Sequence, residues 1–346
     1  MYIIPPLQND ELFESWLLKI CLYNDSKLPY GENGRDLKIS DITLLNSREI
    51  FKICQVLRNY IDCDFMSIID NHTLLPYINP FTDSKKIFWK KIKMNYFEYL
   101  DNAKTYHADY FNIRNYKVCT HCINEEVKNF GEAYIHRIHQ VPLNFFCQKH
   151  NSKLKVLSKS NSYEDINLYD NLPELEELSD KYLEDLRILS NEIHYVTNGA
   201  LRSFTIDYIK MIIWIRMDEK GYINNMLIKD EFYHDFYEYY GHDFLLYVKS
   251  LLENVNEDLY DFKKLHLVPG ATKYSPTQVI LIVRMLFESG LREFVAFSRR
   301  TLTYQKLHKL ISLLKEEVNI NLYMNPGTFS ISRNLYEYLL ESNGRL

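Results

Sequence analysis

Four residues in the middle of the chain have the types and the spacing of a metal site. The stretch "CTHCINEEVKNFGEAYIHRIHQVPLNFFCQKH" begins at Cys119 and ends at His150. Cys119 and Cys122 enclose two residues, and Cys147 and His150 repeat that spacing after a gap of 24 residues. Zn²⁺ prefers four tetrahedral ligands, and thiolates together with an imidazole suit it. These four residues therefore predict one bound zinc ion.

The spacing also indicates whether such a metal would be structural or catalytic. Four protein ligands leave no position for water or substrate, which is the pattern of structural zinc. About 50 residues bury too little apolar surface to fold without such a cross-link. We therefore expect the ion to hold a small folded unit together.

Two other interpretations of the cysteines stay open at this point. One is free thiols, and the other is a metal-dependent nuclease with His139 as its general base. Its partners would come from Glu125, Glu126 and Asn144. Three histidines near the cysteines could be alternative ligands or could support the ligands: His121, His136 and His139.

The composition is that of a soluble protein. Of 346 residues, 46% are apolar and 25% are charged, and no apolar run reaches the ~18 residues of a membrane span. The N-terminus lacks the features of a signal peptide, so we expect a cytoplasmic protein with reduced thiols. Cys21, Cys54 and Cys63 are then expected to be buried thiols. No catalytic or nucleotide-binding motif occurs, so we expect neither enzyme activity nor a small-molecule substrate.

Helical periodicity dominates the chain, and the segment around the cysteines interrupts it. We predict an N-terminal helical domain over residues 1–105, a small β-rich zinc ribbon over 106–158 and a C-terminal helical domain over 171–346. In the middle segment, short β-like pieces alternate with turn signals. A polar linker over 158–171 follows it. The predicted fold class is mostly α and multi-domain, with a helix-turn-helix-like architecture.

Three helix boundaries follow from capping residues. Asn9 or Asp10 is expected to cap the first helix, and Asn171 the first helix after the linker. Pro276 is expected to open the helix in "SPTQVILIVRMLFESG", and Gly290 to close it. Near the C-terminus, "GTFSISRNLYEYLL" fits either a DNA-recognition helix or an ordinary closing helix.

Positive charge is gathered in two groups although the net charge is −5 and the pI about 6.1. The first lies in "SKKIFWKKIK" and contains Lys85, Lys86, Lys90 and Lys91. The second surrounds the predicted metal ligands and includes Arg137, Lys149 and Lys153. Each group is either a solvated surface or a contact with DNA phosphates or a partner. A protein that binds DNA unaided is usually basic, so we expect local, partner-assisted DNA contacts.

The cysteine stretch resembles the zinc segment of the TniQ/TnsD family. That pattern is Cys-x-x-Cys, a glycine followed by an aromatic residue, His-Gln, Cys-x-x-His and a leucine. The matching positions beyond the first cysteine pair are Gly131, Tyr134, His139, Gln140, Pro142, Cys147, His150 and Leu154. The N-terminus resembles the family's opening at Pro6, Asp10, Glu11, Ser15 and Trp16. The stretches "YGHDFLLYV" and "YSPTQVILIVRMLFESGLREF" resemble TnsD-type C-terminal helices, so the likeness covers most of residues 1–295.

The resemblance implies a target-site selector of a bacterial transposon rather than a transposase. Such a protein binds target DNA, or a CRISPR effector bound to DNA, and recruits an AAA+ ATPase regulator of transposition. It would carry one structural zinc ion and have no catalytic activity. Residues 1–100 would face the ATPase, with Trp16 as a partner contact or, alternatively, a core residue. The zinc ribbon and the C-terminal helices would face the DNA or the effector.

Several properties stay open in the sequence. No cysteine follows Cys147, so the second cysteine knuckle of TnsD-type proteins is missing. That leaves direct DNA recognition and recognition through an effector as alternatives, and a homodimer is a further possibility. The alternative function is a zinc-ribbon transcription regulator that binds promoter DNA as a dimer.

Overall fold

The computed structural model describes residues 3–24, 53, 54, 57, 65–81, 116–157, 169–171, 178–204, 206–224, 227–252 and 276–301. Within these ranges the protein is mostly helical, as predicted, and every strand has two or three residues. None of the described helices is long and apolar enough to cross a membrane. The group Lys85, Lys86, Lys90 and Lys91, the residue Cys63 and the stretch "GTFSISRNLYEYLL" lie outside the described residues.

The first helix, α1 (Phe13–Tyr23), buries the apolar stripe that predicted it. The fully buried side chains at helical spacing are Phe13, Trp16, Leu17 and Ile20. The predicted caps are wrong, because α1 begins after Leu12 and has no side-chain cap. Asp10 instead has a φ of +58° and directs its carboxylate to the Arg137 guanidinium. Because the Asp10 carboxylate binds Arg137, it does not cap α1.

Two further helices complete the described N-terminal part. They are α2 (Phe65–His72) and α3 (Leu75–Ile78), and a single 3₁₀ turn (Asn79–Phe81) follows α3. The ring of His72 lies 2.8 Å from the Glu11 carbonyl oxygen, measured from Nδ1, which joins α2 to the start of α1. Residues 53, 54 and 57 are helical and buried, so Cys54, like Cys21 on α1, is the buried thiol that we expected.

The middle part combines short strands with helices. Its elements in chain order are β1 (Lys117–Val118), α4 (Thr120–Phe130), α5 (Arg137–Gln140), β2 (Phe146–Cys147), β3 (Ser152–Lys153), β4 (Lys155–Leu157) and β5 (Tyr169–Asn171). β1, β4 and β5 form an antiparallel sheet in the order β1-β4-β5, and β2 pairs with β3. The predicted β-rich ribbon is therefore wrong in one respect: its longest element is the 11-residue helix α4.

The linker and the next helix also differ from the prediction. Asn171 lies in β5 opposite Lys155, and residues 172–177, where a helix capped by it would begin, lie outside the described residues. Helix α6 (Asp180–Thr197) begins later, and the Ser179 hydroxyl caps it by accepting a hydrogen bond from the Tyr182 amide at 3.4 Å. The C-terminal end of the predicted linker is thus part of the middle sheet.

The described residues of the C-terminal part are arranged around one buried helix. Its elements after α6 are α7 (Ile206–Glu219), a hairpin of β6 (Ile223–Asn224) and β7 (Leu227–Ile228), α8 (Asp230–Tyr240), α9 (His242–Leu252), α10 (Pro276–Leu286) and α11 (Leu291–Thr301). All eight residues 276–283 are buried, and α10 packs against α6, α7, α8 and α11. A helix that is apolar all round belongs in a core.

One hydrophobic core includes residues from all three predicted domains. It contains residues of α3, the three cysteines of the predicted metal site and most of the C-terminal helices. Helix α6 makes the connection, because it packs against both α3 and β2. The Phe145 amide also donates a hydrogen bond to the Ser190 hydroxyl of α6 at 3.2 Å. The boundaries 1–105, 106–158 and 171–346 stay a prediction.

Candidate metal centre

The side chains of Cys119, Cys122, Cys147 and His150 converge on one point. The sulfur atoms of Cys122 and Cys147 lie 3.7 Å apart. The Nδ1 atom of His150 lies 3.5, 3.4 and 3.6 Å from the sulfurs of Cys119, Cys122 and Cys147. A tetrahedral zinc ion with ordinary bond lengths sets sulfurs about 3.8 Å apart and sulfur and nitrogen about 3.6 Å apart. The donor types and their spacing therefore fit a single zinc ion.

Two different local structures supply the ligand pairs. Cys119 is the last residue before α4 and Cys122 lies in the first turn of that helix, so a spacing of three puts both on one face. This helix start differs from the short β-like pieces and turns that the sequence predicts for this segment. Cys147 ends β2, and His150 lies in the turn that leads to β3. The hydroxyl of Ser152, opposite Cys147 in that hairpin, lies 3.3 Å from the Cys119 sulfur.

The three cysteine thiols lie so close together that a cation between them would stabilise their deprotonated forms. Hydrogen bonds from Cys122 and Cys147 lower the pKa of the Cys119 thiol. The neighbouring Cys119 raises the pKa values of Cys122 and Cys147, because each thiol would have to lose its proton beside the negative Cys119 sulfur to which it hydrogen-bonds. All three sulfurs are buried. Three thiolates this close repel one another unless a positive ion lies between them.

Glu125 orients the histidine ligand, a role that the sequence analysis missed. Its Oε1 atom lies 2.9 Å from Nε2 of His150, so the ring presents Nδ1 to the metal position. Lys149 binds the other oxygen of the same carboxylate, which lowers the pKa of Glu125. A carboxylate behind a metal-binding imidazole fixes its tautomer and raises its basicity. Helical spacing from Cys122 to Glu125 is the sequence signal that could have indicated this.

We expect Glu125→Ala to weaken zinc binding about 10- to 100-fold without unfolding the protein, because only the support of one ligand is lost. Competition with a chromophoric chelator measures that affinity. Asn124→Ala, an exposed neighbour on the same helix, is the matched control and should leave the affinity unchanged. Equal affinities for Glu125→Ala and the wild type would contradict the assigned role.

A chain of ionic groups joins the start of α1 to the metal segment. Asp10 contacts Nε of Arg137 at 3.0 Å and Nδ1 of His136 at 3.4 Å. Glu126 of α4 lies on the other side of the His136 ring and also accepts a hydrogen bond from the Tyr134 amide at 3.2 Å. Burial opposes protonation, but the two carboxylates raise the pKa of His136 to about 9. We therefore expect the half-buried His136 ring to be protonated at neutral pH.

A second set of contacts also joins α1 and the residue before it to the segment that follows α4. The Ser15 hydroxyl accepts a hydrogen bond from the Ile135 amide at 3.2 Å, and the Leu12 amide donates to the Ile135 carbonyl at 2.8 Å. Lys19 is buried between Glu11, at 2.8 Å, and Glu132, at 3.2 Å. The acidic pair and the serine of the family-like opening thus contact the segment that follows α4.

Gln140 and Lys117 hold the strand that precedes the first ligand. The Gln140 side chain accepts a hydrogen bond from the Lys117 amide at 2.9 Å and donates one to the Lys117 carbonyl at 2.8 Å. The ammonium of Lys117 donates to the carbonyl oxygens of Val141 and Asn144, each at 2.8 Å. These contacts place β1, and with it Cys119, against the loop after α5.

Two of the tentative partner contacts belong to the interior, which corrects those assignments. Trp16 is fully buried, and its indole donates a hydrogen bond to the Pro5 carbonyl at 2.8 Å. Arg137 is 5% exposed and is held by Asp10 and by the Asp70 carbonyl. Neither can reach a phosphate or a partner without leaving the core.

Lys149 and Lys153 are exposed, and DNA or partner binding by them stays a prediction. Lys149 already forms an ion pair with Glu125 beside the metal site. Lys153 lies in β3, opposite Phe146 of β2. Both therefore lie next to the metal residues, as the sequence indicated.

The nuclease interpretation does not fit this geometry. His139 is 3% exposed, and burial together with the charge of His136 lowers its pKa to about 3. Its expected partners have other tasks: Glu126 binds His136, and Asn144 donates a hydrogen bond to the Ile138 carbonyl at 2.7 Å. None of the three additional histidines belongs to the four-residue cluster, although His136 lies in a second group with Cys122 and Glu126.

The His136 cluster predicts a decrease in stability at alkaline pH. The pKa of His136 is about 9 when folded and about 6.5 when unfolded, so its contribution is complete below pH 6.5 and is lost as pH rises through 9. The full loss is about 3 kcal/mol. Urea unfolding of the zinc-loaded protein between pH 6 and 10 measures it. In His136→Gln the slope over that window should disappear, whereas an unchanged slope would assign it to another group.

Comparison with known proteins identifies the region that carries this centre. The family model described as TniQ matches residues 2–154. That segment includes all four candidate ligands, Glu125 and the buried contacts of α1. No curated protein matches the chain.

Proposed function

Since residues 2–154 make this chain a member of the TniQ family, we propose that it is a target-site selector of a bacterial transposon. At family level, the match indicates transposition-associated target-site selection by a non-catalytic adaptor. For this chain we propose binding to target DNA, or to a CRISPR effector already on DNA, and recruitment of an AAA+ ATPase regulator. The zinc ion would have a structural role and the protein no enzymatic one.

One observation carries the proposal: the family region and the metal centre are a single structural unit. The matched segment ends at Leu154, just beyond the last ligand, His150. Its opening residues Asp10 and Ser15 bind the segment between the ligand pairs. A zinc ion with these four ligands has a complete shell, so it would support a surface rather than activate water.

Binding to the ATPase is the experiment that tests the proposal. The purified chain would be combined with DNA, ATP and its cognate AAA+ ATPase, and retention of the ATPase would be measured. We expect retention that depends on this chain and that is missing with the ATPase of an unrelated transposon. No retention, with or without DNA, would overturn the adaptor role and favour a plain zinc-dependent transcription regulator.

A mobility shift of the chain alone separates the two modes of target choice. Tight, sequence-selective binding would indicate a direct DNA reader. ATPase binding without sequence selectivity would indicate that an effector supplies the target. Both results are consistent with the adaptor, and they differ in which surface meets DNA.

A further inference from the structure

Helices α10 and α11 form a helix-turn-helix pair that presents α11 at the surface. Four residues separate Leu286 from Leu291, and the last of them is Gly290, with a φ of +60°. A turn of three or four residues that often contains glycine is typical of this unit. The helix before the turn is buried, whereas the helix after it has an exposed face. The sequence predicted a helix-turn-helix-like architecture but did not assign it to these residues.

Side chains from three helices fix the turn and therefore the direction of α11. Glu192 of α6 accepts a hydrogen bond from the Leu291 amide at 3.0 Å, and Glu293 accepts one from the Ser289 amide at 3.1 Å. Arg216 of α7 donates to the Leu286 carbonyl at 3.3 Å and lies 5.3 Å from the Phe287 ring. A surface on a helix held in this way is preorganised, which reduces the entropic cost of binding.

The exposed face of α11 is basic. Leu291, Phe294, Val295 and Ser298 are buried at helical spacing and mark the inner face. At 100° per residue, Arg292, Ala296, Arg299 and Arg300 lie within an arc of about 100° that begins beside Val295, and Glu293 lies about 20° beyond Arg300. The three arginines are exposed, and the small Ala296 lies between them. A small central residue lets a flat or grooved partner approach the helix backbone.

Two of these charges, at Arg299 and Arg300, are not neutralised by neighbouring acids within the described residues. Glu293, the acidic residue of α11, faces Arg216 at 3.7 Å and the turn. Among the described residues, no carboxylate lies within salt-bridge distance of Arg299 or Arg300. Arg292 lies over the Tyr195 ring at 5.9 Å and also interacts electrostatically with the Glu192 carboxylate, so Arg299 and Arg300 are the two free charges within the same ranges. In a protein of net charge −5, such a face suits a strongly anionic partner.

We propose that the exposed face of α11 binds the phosphates of duplex DNA. Arginine forms bidentate hydrogen bonds with phosphate, and a helix after a short turn is the element that enters the major groove in helix-turn-helix proteins. This inference rests on the proposed DNA-facing role of the chain and assigns that role to one surface. It also places the contact outside the family-matched region, away from the lysines that the sequence favoured.

The salt dependence of duplex binding tests the assignment. The full chain and Arg299→Ala/Arg300→Ala would be titrated with a random duplex of about 40 base pairs between about 50 and 200 mM salt. Each lost phosphate contact reduces the slope of log affinity against log salt by about 0.9, so we expect a decrease of about 2. The matched control, Lys181→Ala/Lys220→Ala, removes two exposed charges elsewhere and should keep the wild-type slope.

The outcomes separate this inference from the proposed function. Equal slopes and affinities for wild type and Arg299→Ala/Arg300→Ala would overturn it, as would an equal loss in the lysine control. Selective loss of a protein partner with unchanged duplex binding would show a protein-binding face and overturn it too. A wild-type chain that binds no duplex would also overturn it, yet the ATPase measurement would still decide the adaptor role.

Discussion

Replacing Cys147 by serine should remove the metal and destabilise much of the protein. A serine hydroxyl is a poor zinc ligand, and the remaining three side chains cannot complete the tetrahedron. Cys147 is 2% exposed and belongs to the core that also contains α6 and the C-terminal helices. Loss of structural metal is among the few changes that cost about 5 kcal/mol or more. In a chain of 346 residues, a loss of that size lowers the melting temperature by about 7 °C.

Two measurements and one control make the Cys147→Ser result decisive. Zinc per chain should fall from one to near zero, and limited proteolysis should cut first within residues 116–157. Cys21→Ser makes the same chemical change at another buried thiol, which lies on α1 outside the metal cluster. It should cost about 1–3 kcal/mol for the buried hydroxyl and retain the zinc. A Cys147→Ser protein with full zinc content and wild-type melting would refute a structural metal.

The ligand set could be predicted from sequence because zinc coordination depends on residue type and local spacing. Cys119 and Cys122 lie within one turn of chain, and so do Cys147 and His150. The two ligands of a pair lie close together whether the backbone forms a turn between strands or the start of a helix. For the same reason the prediction identified the ligands and mistook the element that carries the first pair.

The contacts between distant segments could not be predicted from local patterns. Asp10 is of a residue type that often caps helices, but its carboxylate binds Arg137, 127 residues away. Arg137 was predicted to be a surface cation. Its local sequence does not show that it donates hydrogen bonds to three acceptors in the interior, which belong to Asp10, Asp70 and Thr73. Such pairings follow from the fold, and the sequence indicated Asp10 only as a helix cap and as part of the family-like opening.

Gly290→Ala should destabilise the C-terminal helices by about 2–4 kcal/mol. Two physical costs add at this residue. A φ of +60° costs a non-glycine residue about 1–2 kcal/mol, and a Cβ atom there would overlap the Glu192 carboxylate. Glu192 is buried and accepts the hydrogen bond from the Leu291 amide, so its displacement also leaves the start of α11 without a cap. Urea unfolding followed by circular dichroism measures the loss.

Gly131→Ala separates the backbone cost from the overlap with Glu192. Gly131 ends α4 with a φ of +81°, and a Cβ atom there would meet nothing within 4 Å. Gly131→Ala should therefore lower the free energy of unfolding only by the cost of a positive φ, about 1–2 kcal/mol. In a Glu192→Ala background, Gly290→Ala should cost no more than Gly131→Ala, because the overlapping carboxylate is gone. Equal decreases in unfolding free energy for both variants in the wild-type background would show that the Glu192 carboxylate moves aside at no cost. That carboxylate would then not fix the turn before α11.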